Sequence, residues 1–234
     1  MRNHTLDVAR GVAFLCMMAH HVFTFTRLAQ PGGGLGTRLP PFVARCGAVA
    51  RHLFIVIAGY ALALQFQVRP DTARTWRTRA RRGLEVGLHA AAISLVTYLC
   101  YPDRWVRFGI LHFMCVASLL ASTLLLSPHH EWLALCVVVG LCNAPVTGTW
   151  VDVVSGADPR HAMLDWFPLV SWFPWLWLGV MLGKYVPIPS IPTATTHRNA
   201  VLSGLSVLGQ NSLALYTAHF VLFCAAARYG RAVA

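Results

Sequence analysis

The stretch "LDVARGVAFLCMMAHHVF", residues 6–23, decides the fold. It is apolar almost throughout, yet it opens with Asp7 and Arg10 and carries His20 and His21 about where a membrane-spanning helix passes the bilayer centre. Ionisable side chains are costly in hydrocarbon. Where they persist they face a bundle interior or a water-filled path and are functional candidates by default. At about 100° per helical residue, Arg10 and His21 differ by only about 20° in direction, and Asp7 lies within about 40° of the same face. His20 points to one side. The rise from Arg10 to His21 is about 16 Å, roughly half the hydrocarbon thickness. A polar stripe thus runs from a charged mouth to a buried imidazole.

The rest of the chain agrees with a membrane setting. Of 234 residues 56% are hydrophobic and 12% charged, with mean hydropathy +0.57, whereas soluble domains carry about 25% charge. A spanning helix needs about 20 mostly apolar residues, and seven such runs fall near 8–28, 46–68, 83–100, 108–126, 131–147, 167–184 and 204–226. The expected fold is an all-α polytopic membrane protein, a bundle of about seven transmembrane helices forming one domain over residues 1–234. The opening is not a secretory signal, because no A-x-A cleavage pattern follows Arg2 and the first apolar run; that helix is expected to stay.

The net charge of +11 does not point to nucleic acid, since the basic residues are spread around the ends of the runs. The densest cluster, "RPDTARTWRTRARRG" (69–83), is expected in the cytoplasm by the positive-inside tendency, which places the N-terminus there too and, with seven spans, the C-terminus on the far side. Arg27, Arg38, Arg45, Arg104 and Arg107 then fall on or near the far side, together with Asp103, Asp152, Asp158 and Asp165. The loop "AQPGGGLGTRLPP" (29–41) supplies turns and is not a phosphate-binding loop, because no G-K-[ST] follows its glycines. The segment "VPIPSIPTATTHR" (186–198) is expected to be a non-helical connector. Seven cysteines without a C-x-x-C pair imply no disulfide framework.

Histidine accepts a proton near neutral pH, so His21 suits a general base or a nucleophile toward an activated acyl group. His52, His112 and His219 also lie in apolar runs. The structural alternative is an Asp7–Arg10 pair at the membrane border and histidines that hydrogen-bond between helices. No metal is expected, since there is no H-E-x-x-H and the runs hold few carboxylates. A retinal-type receptor is excluded because Lys184, the single lysine, ends the sixth run rather than lying in mid-span of the seventh.

"LDVARGVAFLCMMAHH" resembles the D-x-x-R-G…H opening of membrane acyltransferases, most closely the heparan-α-glucosaminide N-acetyltransferase catalytic-domain family. The likeness continues in order through "HLFIVIAGYALAL" (52–64), "FGILHFMCVASLL" (108–120), "DWFPLVSWFPWLWLGVMLGK" (165–184) and "LGQNSLALYTAHFVLF" (208–223). The resemblance implies acyl transfer from cytoplasmic acyl-CoA, usually acetyl-CoA, to an amino sugar or other glycan acceptor on or across the bilayer. By matching position it implies His21 as the catalytic histidine and Asp7 and Arg10 at the CoA-side mouth. Asp165 matches a D-x-F-P-L motif, and Asn211, Ser212, Tyr216 and His219 match the last-helix motif. His112 is a further residue expected to support the site.

The CoA phosphates would be drawn by Arg10 and by the 69–82 cluster, with Arg77 and Arg81 as candidates. Membrane topology alone also explains that cluster. Asp165 also suits the N-terminus of a helix beginning near Pro168, and Asn211 or Ser212 suits a cap for the helix carrying Tyr216 and His219. Trp166, Trp172, Trp175 and Trp177 suit an interfacial belt or a sugar-stacking platform. A homodimer is one assembly the chain allows. From another class, a small transporter or channel would use the same polar stripe as a proton or solute path.

Overall fold

The computed structural model describes residues 3–29, 39–68, 72–143, 145–156 and 163–233. The glycine run, Arg38, Asp158 and the first residues of the basic cluster, 69–71, lie outside them. Every one of the seven apolar runs contains a helix. In chain order these are α1 (His4–Ala29), α2 (Pro41–Val68), α3 (Thr72–Cys100), α4 (Ile110–Leu125), α5 (His130–Cys142), α6 (Trp150–Ser155), α7 (Leu169–Tyr185), α8 (Thr193–Arg198), α9 (Ala200–Gln210) and α10 (Ser212–Val233). Among the described residues no strand occurs beyond a single parallel bridge between Phe108 and Trp166.

The number of spans is a separate matter from the number of helices. α1, α2 and α3 are long and apolar enough to cross a bilayer, and α9 with α10 makes a fourth if the pair counts as one span. α4, α5 and α7 have 16, 13 and 17 residues, so at about 1.5 Å per residue they are shorter than a hydrocarbon core of about 30 Å. Prolines bound them, with Pro128 before α5, Pro145 after it, and Pro168 and Pro187 flanking α7. Among the described residues the helices long enough by themselves number three, or four with the bent pair, and a count of seven is not confirmed.

Two local expectations are corrected. The connector 186–198 is not wholly irregular: its prolines end at Pro192, and Thr193–Arg198 forms α8. The run 204–226 is not one straight helix, because α9 and α10 meet at Asn211 with a bend of 77°. The side-chain amide of Asn211 donates to the Val207 carbonyl at 2.9 Å and so stitches the end of α9.

Glycine sets which helices touch. Gly59 of α2 sits against the Leu176 carbonyl, while Gly179 and Gly183 of α7 sit against the backbone of Val56 and Tyr60. This is close approach through a small-x-x-x-small face. Likewise Gly11 lies on the Leu205 carbonyl and Gly209 on the Asp7 carbonyl, which locks α1 to α9. α1 thereby packs against α2, α9 and α10 together. Phe113, Phe173, Leu176 and Val180 fill the centre with no exposed surface. On α3, Leu84, Leu88, Leu95 and Leu99 are exposed on a single stripe, the pattern of a lipid-facing helix.

The two ends of the bundle are tied separately. At one end the Asn3 amide donates to the Ile188 carbonyl at 3.1 Å, Thr5 Oγ1 donates to the Pro189 carbonyl at 2.7 Å, and Tyr60 OH donates to the Val186 carbonyl at 2.8 Å. At the other, the amides of Leu164 and Phe167 donate to the carbonyls of Arg104 and Phe108, both at 2.9 Å.

Candidate active site

α1 and α10 bring two histidines together. His21 Nδ1 lies 2.8 Å from His219 Nε2, and His219 Nδ1 lies 2.9 Å from the Leu215 carbonyl one turn back. A carbonyl only accepts, so a neutral His219 carries its proton on Nδ1 and offers the Nε2 lone pair. His21 must then donate from Nδ1, which leaves the lone pair on its own Nε2. The order of protons along Leu215, His219 and His21 thus follows from the one group whose role is fixed. The imidazole planes are stacked at 20°, and Phe14, Phe25, Phe220 and Phe223 enclose the pair edge-on.

His21 lines a small chamber of about 100 Å³, together with His20, Thr24, Arg51, Asp165, Tyr216 and a set of apolar side chains. Asp165 is held from two sides: its Oδ2 accepts from the Ile110 amide at 3.0 Å and from Tyr216 OH at 3.5 Å. It therefore sits at the N-terminus of α4 and does not cap the helix after Pro168. Pro168 itself is the N-cap of α7, with no side-chain hydrogen bond. Burial pushes the Asp165 carboxyl up to about 6, against the Ile110 amide, Arg51 and Tyr216, which all favour the carboxylate. His20 Nδ1 is 3.3 Å from the Val43 carbonyl, and its ring occupies the space a side chain at position 47 would need.

A second cavity of about 450 Å³ adjoins the first, and Met17, Phe54, Ile110 and Tyr216 line both. Its polar wall includes Arg10, Gln65, Arg79, Arg82, Gln210 and Ser212. The stripe on α1 is thus divided, with Arg10 in the outer cavity, Met17 at the junction and His21 in the inner chamber. Asp7 is 2% exposed and pairs with Arg10 at 3.3 Å, so it orients that guanidinium from behind. Arg82 pairs with Glu85 at 2.8 Å. Arg79 lies 5.2 Å over the Phe66 ring, and its buried Nε has no hydrogen-bond partner.

Of the basic cluster, Arg79 and Arg82 face the cavity, whereas Arg77 and Arg81 are exposed and do not line it. Asn211 is at the helix break, Ser212 in the outer cavity and Tyr216 at the junction. His112 stands apart: the Gly109 amide donates to its Nδ1 at 3.2 Å, and its Nε2 is 3.0 Å from Ser94 Oγ, which donates to the Val106 carbonyl at 2.7 Å. It ties α4 to α3. His52 bonds back to the Ala48 carbonyl at 2.7 Å and contacts Trp172 and Trp175. Trp166 Nε1 donates to the Val153 carbonyl at 2.8 Å, and neither Trp166, Trp172, Trp175 nor Trp177 lines the two cavities.

The residue that sequence reasoning missed is Arg51. Its signal was an arginine beside His52 within the apolar run 46–68. Among the described residues no group of three or more His, Cys, Asp or Glu side chains is arranged to hold a metal.

The family model described as heparan-alpha-glucosaminide N-acetyltransferase, catalytic, matches residues 2–221. No curated protein and no solved structure matches the chain.

Proposed function

From the chain's membership of the heparan-alpha-glucosaminide N-acetyltransferase catalytic family, we propose that it transfers an acetyl group from acetyl-CoA to an amino sugar or other glycan acceptor at the bilayer, with His21 at the reacting centre. The observation that carries this reading is the His219–His21 pair. Its proton order leaves an imidazole lone pair on a residue that lines the inner chamber.

The residues divide the work. Arg10, Arg79 and Arg82 attract the phosphates of CoA at the outer cavity. The end carrying this arginine cluster is then the cytoplasmic one, along with the N-terminus. The pantetheine arm reaches past Met17 and Tyr216 toward His21, a span of about 16 Å from Arg10 along α1. As the acceptor nitrogen or oxygen bonds to the thioester carbon, its proton passes to His21 Nε2. The C–S bond then breaks, and the CoA sulfur takes that proton back. The same lone pair also serves an acetyl-histidine route. Asp165 and Tyr216, which line the chamber with His21, are the groups to take the acceptor amine or hydroxyl. Asn211 ends α9 at the bend before the helix of Tyr216 and His219, and Ser212 joins the outer-cavity wall on the donor side.

The test is purified protein in detergent supplied with labelled acetyl-CoA, with and without glucosamine, beside proteoliposomes assayed for solute flux. Acetylated glucosamine with release of free CoA supports the reading, and label retained on protein without acceptor selects the acetyl-histidine route. Folded protein that neither binds CoA nor releases it, while passing protons or solute, transfers the case to a membrane transporter.

A further inference from the structure

An arginine within an apolar stretch of a membrane helix needs a counterpart. Arg51 of α2 has a buried Nε without a hydrogen-bond partner, and among the described residues no ion pair joins its guanidinium; the Trp172 ring lies 5.9 Å beneath it. It is the single Lys or Arg among the side chains lining the inner chamber, which it shares with His21. The chamber holds about 100 Å³. That is room for a reacting acyl group rather than for a nucleotide.

Arg79 shows the same unsatisfied Nε in the outer cavity. The two arginines so left thus divide between the two compartments. The outer one faces permanent charge on phosphate. The inner one meets no phosphate if only the thioester end enters its chamber. The Asp165 carboxyl shares that chamber and is favoured in its charged form by Arg51, but no ion-pair contact joins them and Asp165 is held by the Ile110 amide and Tyr216.

What develops there is transient charge. When the acceptor, or His21 Nε2, bonds to the thioester carbon, the carbonyl π electrons move onto oxygen. They return when the C–S bond breaks. In direct transfer the CoA thiolate takes the proton that His21 Nε2 received from the acceptor. In the acetyl-histidine route the thiolate leaves beside an acetyl-imidazolium and takes the acceptor's proton when the acceptor displaces His21 from the acetyl carbon. A preorganised donor aimed at that oxygen in a site with little water lowers the barrier in a way that ground-state binding does not. We propose that Arg51 is the oxyanion-stabilising catalytic residue of the acyl transfer. The role rests on the acetyl-transfer reading above and holds for direct transfer and for the acetyl-histidine route alike.

The test compares wild type, Arg51→Lys and Arg51→Gln in detergent with acetyl-CoA and glucosamine, measuring kcat, both KM values and CoA affinity by calorimetry. Arg51→Gln should lower kcat by about 10²–10³-fold, with the acetyl-CoA KM and the CoA affinity within about threefold of wild type. Arg51→Lys keeps a cation but loses the planar fork, and should still fall by more than tenfold. If Arg51→Gln does not elute as folded protein, the lysine variant decides. A kcat within threefold of wild type, or a loss confined to the glucosamine KM as expected for an arginine that merely hydrogen-bonds the acceptor, overturns the role of Arg51 alone. Wild type that moves no acetyl group overturns the acyl-transfer reading and this role together.

Discussion

In the proposed transfer His219 acts through His21. With its Nδ1 committed to the Leu215 carbonyl, it presents a lone pair that holds the His21 proton on Nδ1. His219→Phe keeps the aromatic packing but removes that acceptor, and kcat should fall by about 10²-fold or more at unchanged CoA affinity; His219→Gln, whose amide oxygen accepts, should recover part of it. Unchanged turnover in His219→Phe contradicts the proton order. Asp165 gives a pH signature of its own. Its carboxyl stands at about 6 against an ordinary 3.8, so the native protein binds that proton more tightly than the unfolded chain does. This contribution to stability is complete below about pH 4 and fades as pH rises through 6. Between pH 4.5 and 7 in detergent, the thermal stability of wild type should therefore decline relative to Asp165→Asn; parallel curves would show that burial does not raise the carboxyl. At this scale the sequence showed His21, His219, Asp165 and Tyr216 as polar residues in or beside apolar runs. It could not show that His219 meets His21, since their contact joins positions 198 apart in the chain.

At the scale of helices, the α1–α9 contact depends on two absent side chains. A Cβ at position 209 would meet the Asp7 carbonyl, whereas one at position 204 meets nothing within 4 Å. Gly209→Val should destabilise the protein by about 1–3 kcal/mol through overpacking, seen as a lower melting temperature and a smaller monodisperse fraction in detergent. Gly204→Ala should be neutral or slightly stabilising by helix propensity. Equal stability of the two variants would mean that α9 is not held against α1 in this way. Helices were the most legible feature of the sequence, because six of the seven apolar runs hold one helix each and the last holds two. The break at Asn211 was legible only as a cap, since its bend is set by where Gly209 and Gly11 let α9 lie. The basic cluster was legible as a patch but not in phase. Arg79 and Arg82 are three apart and share a face with Gly83 and Val86 in the cavity wall; Arg77 and Arg81 are each about 200° from Arg79 around the helix and look away.

Across the whole molecule there are two joined cavities, and the proposed transfer divides donor binding and chemistry between them. Replacing Arg79 by Gln should raise the acetyl-CoA KM about tenfold, more steeply at low than at high salt, with kcat little changed. Arg77→Gln and Arg81→Gln should stay within about threefold. A larger effect at Arg77 or Arg81 than at Arg79 would place the CoA phosphates elsewhere. In the proposed mechanism His21 performs the transfer at the end of this path. That role is met most directly by measuring acetyl transfer and CoA affinity side by side for wild type and His21→Ala. Turnover should fall by about 10²–10⁴-fold in the variant, while CoA binds within about threefold of wild type and the protein elutes unchanged. Turnover that survives in His21→Ala would contradict that role.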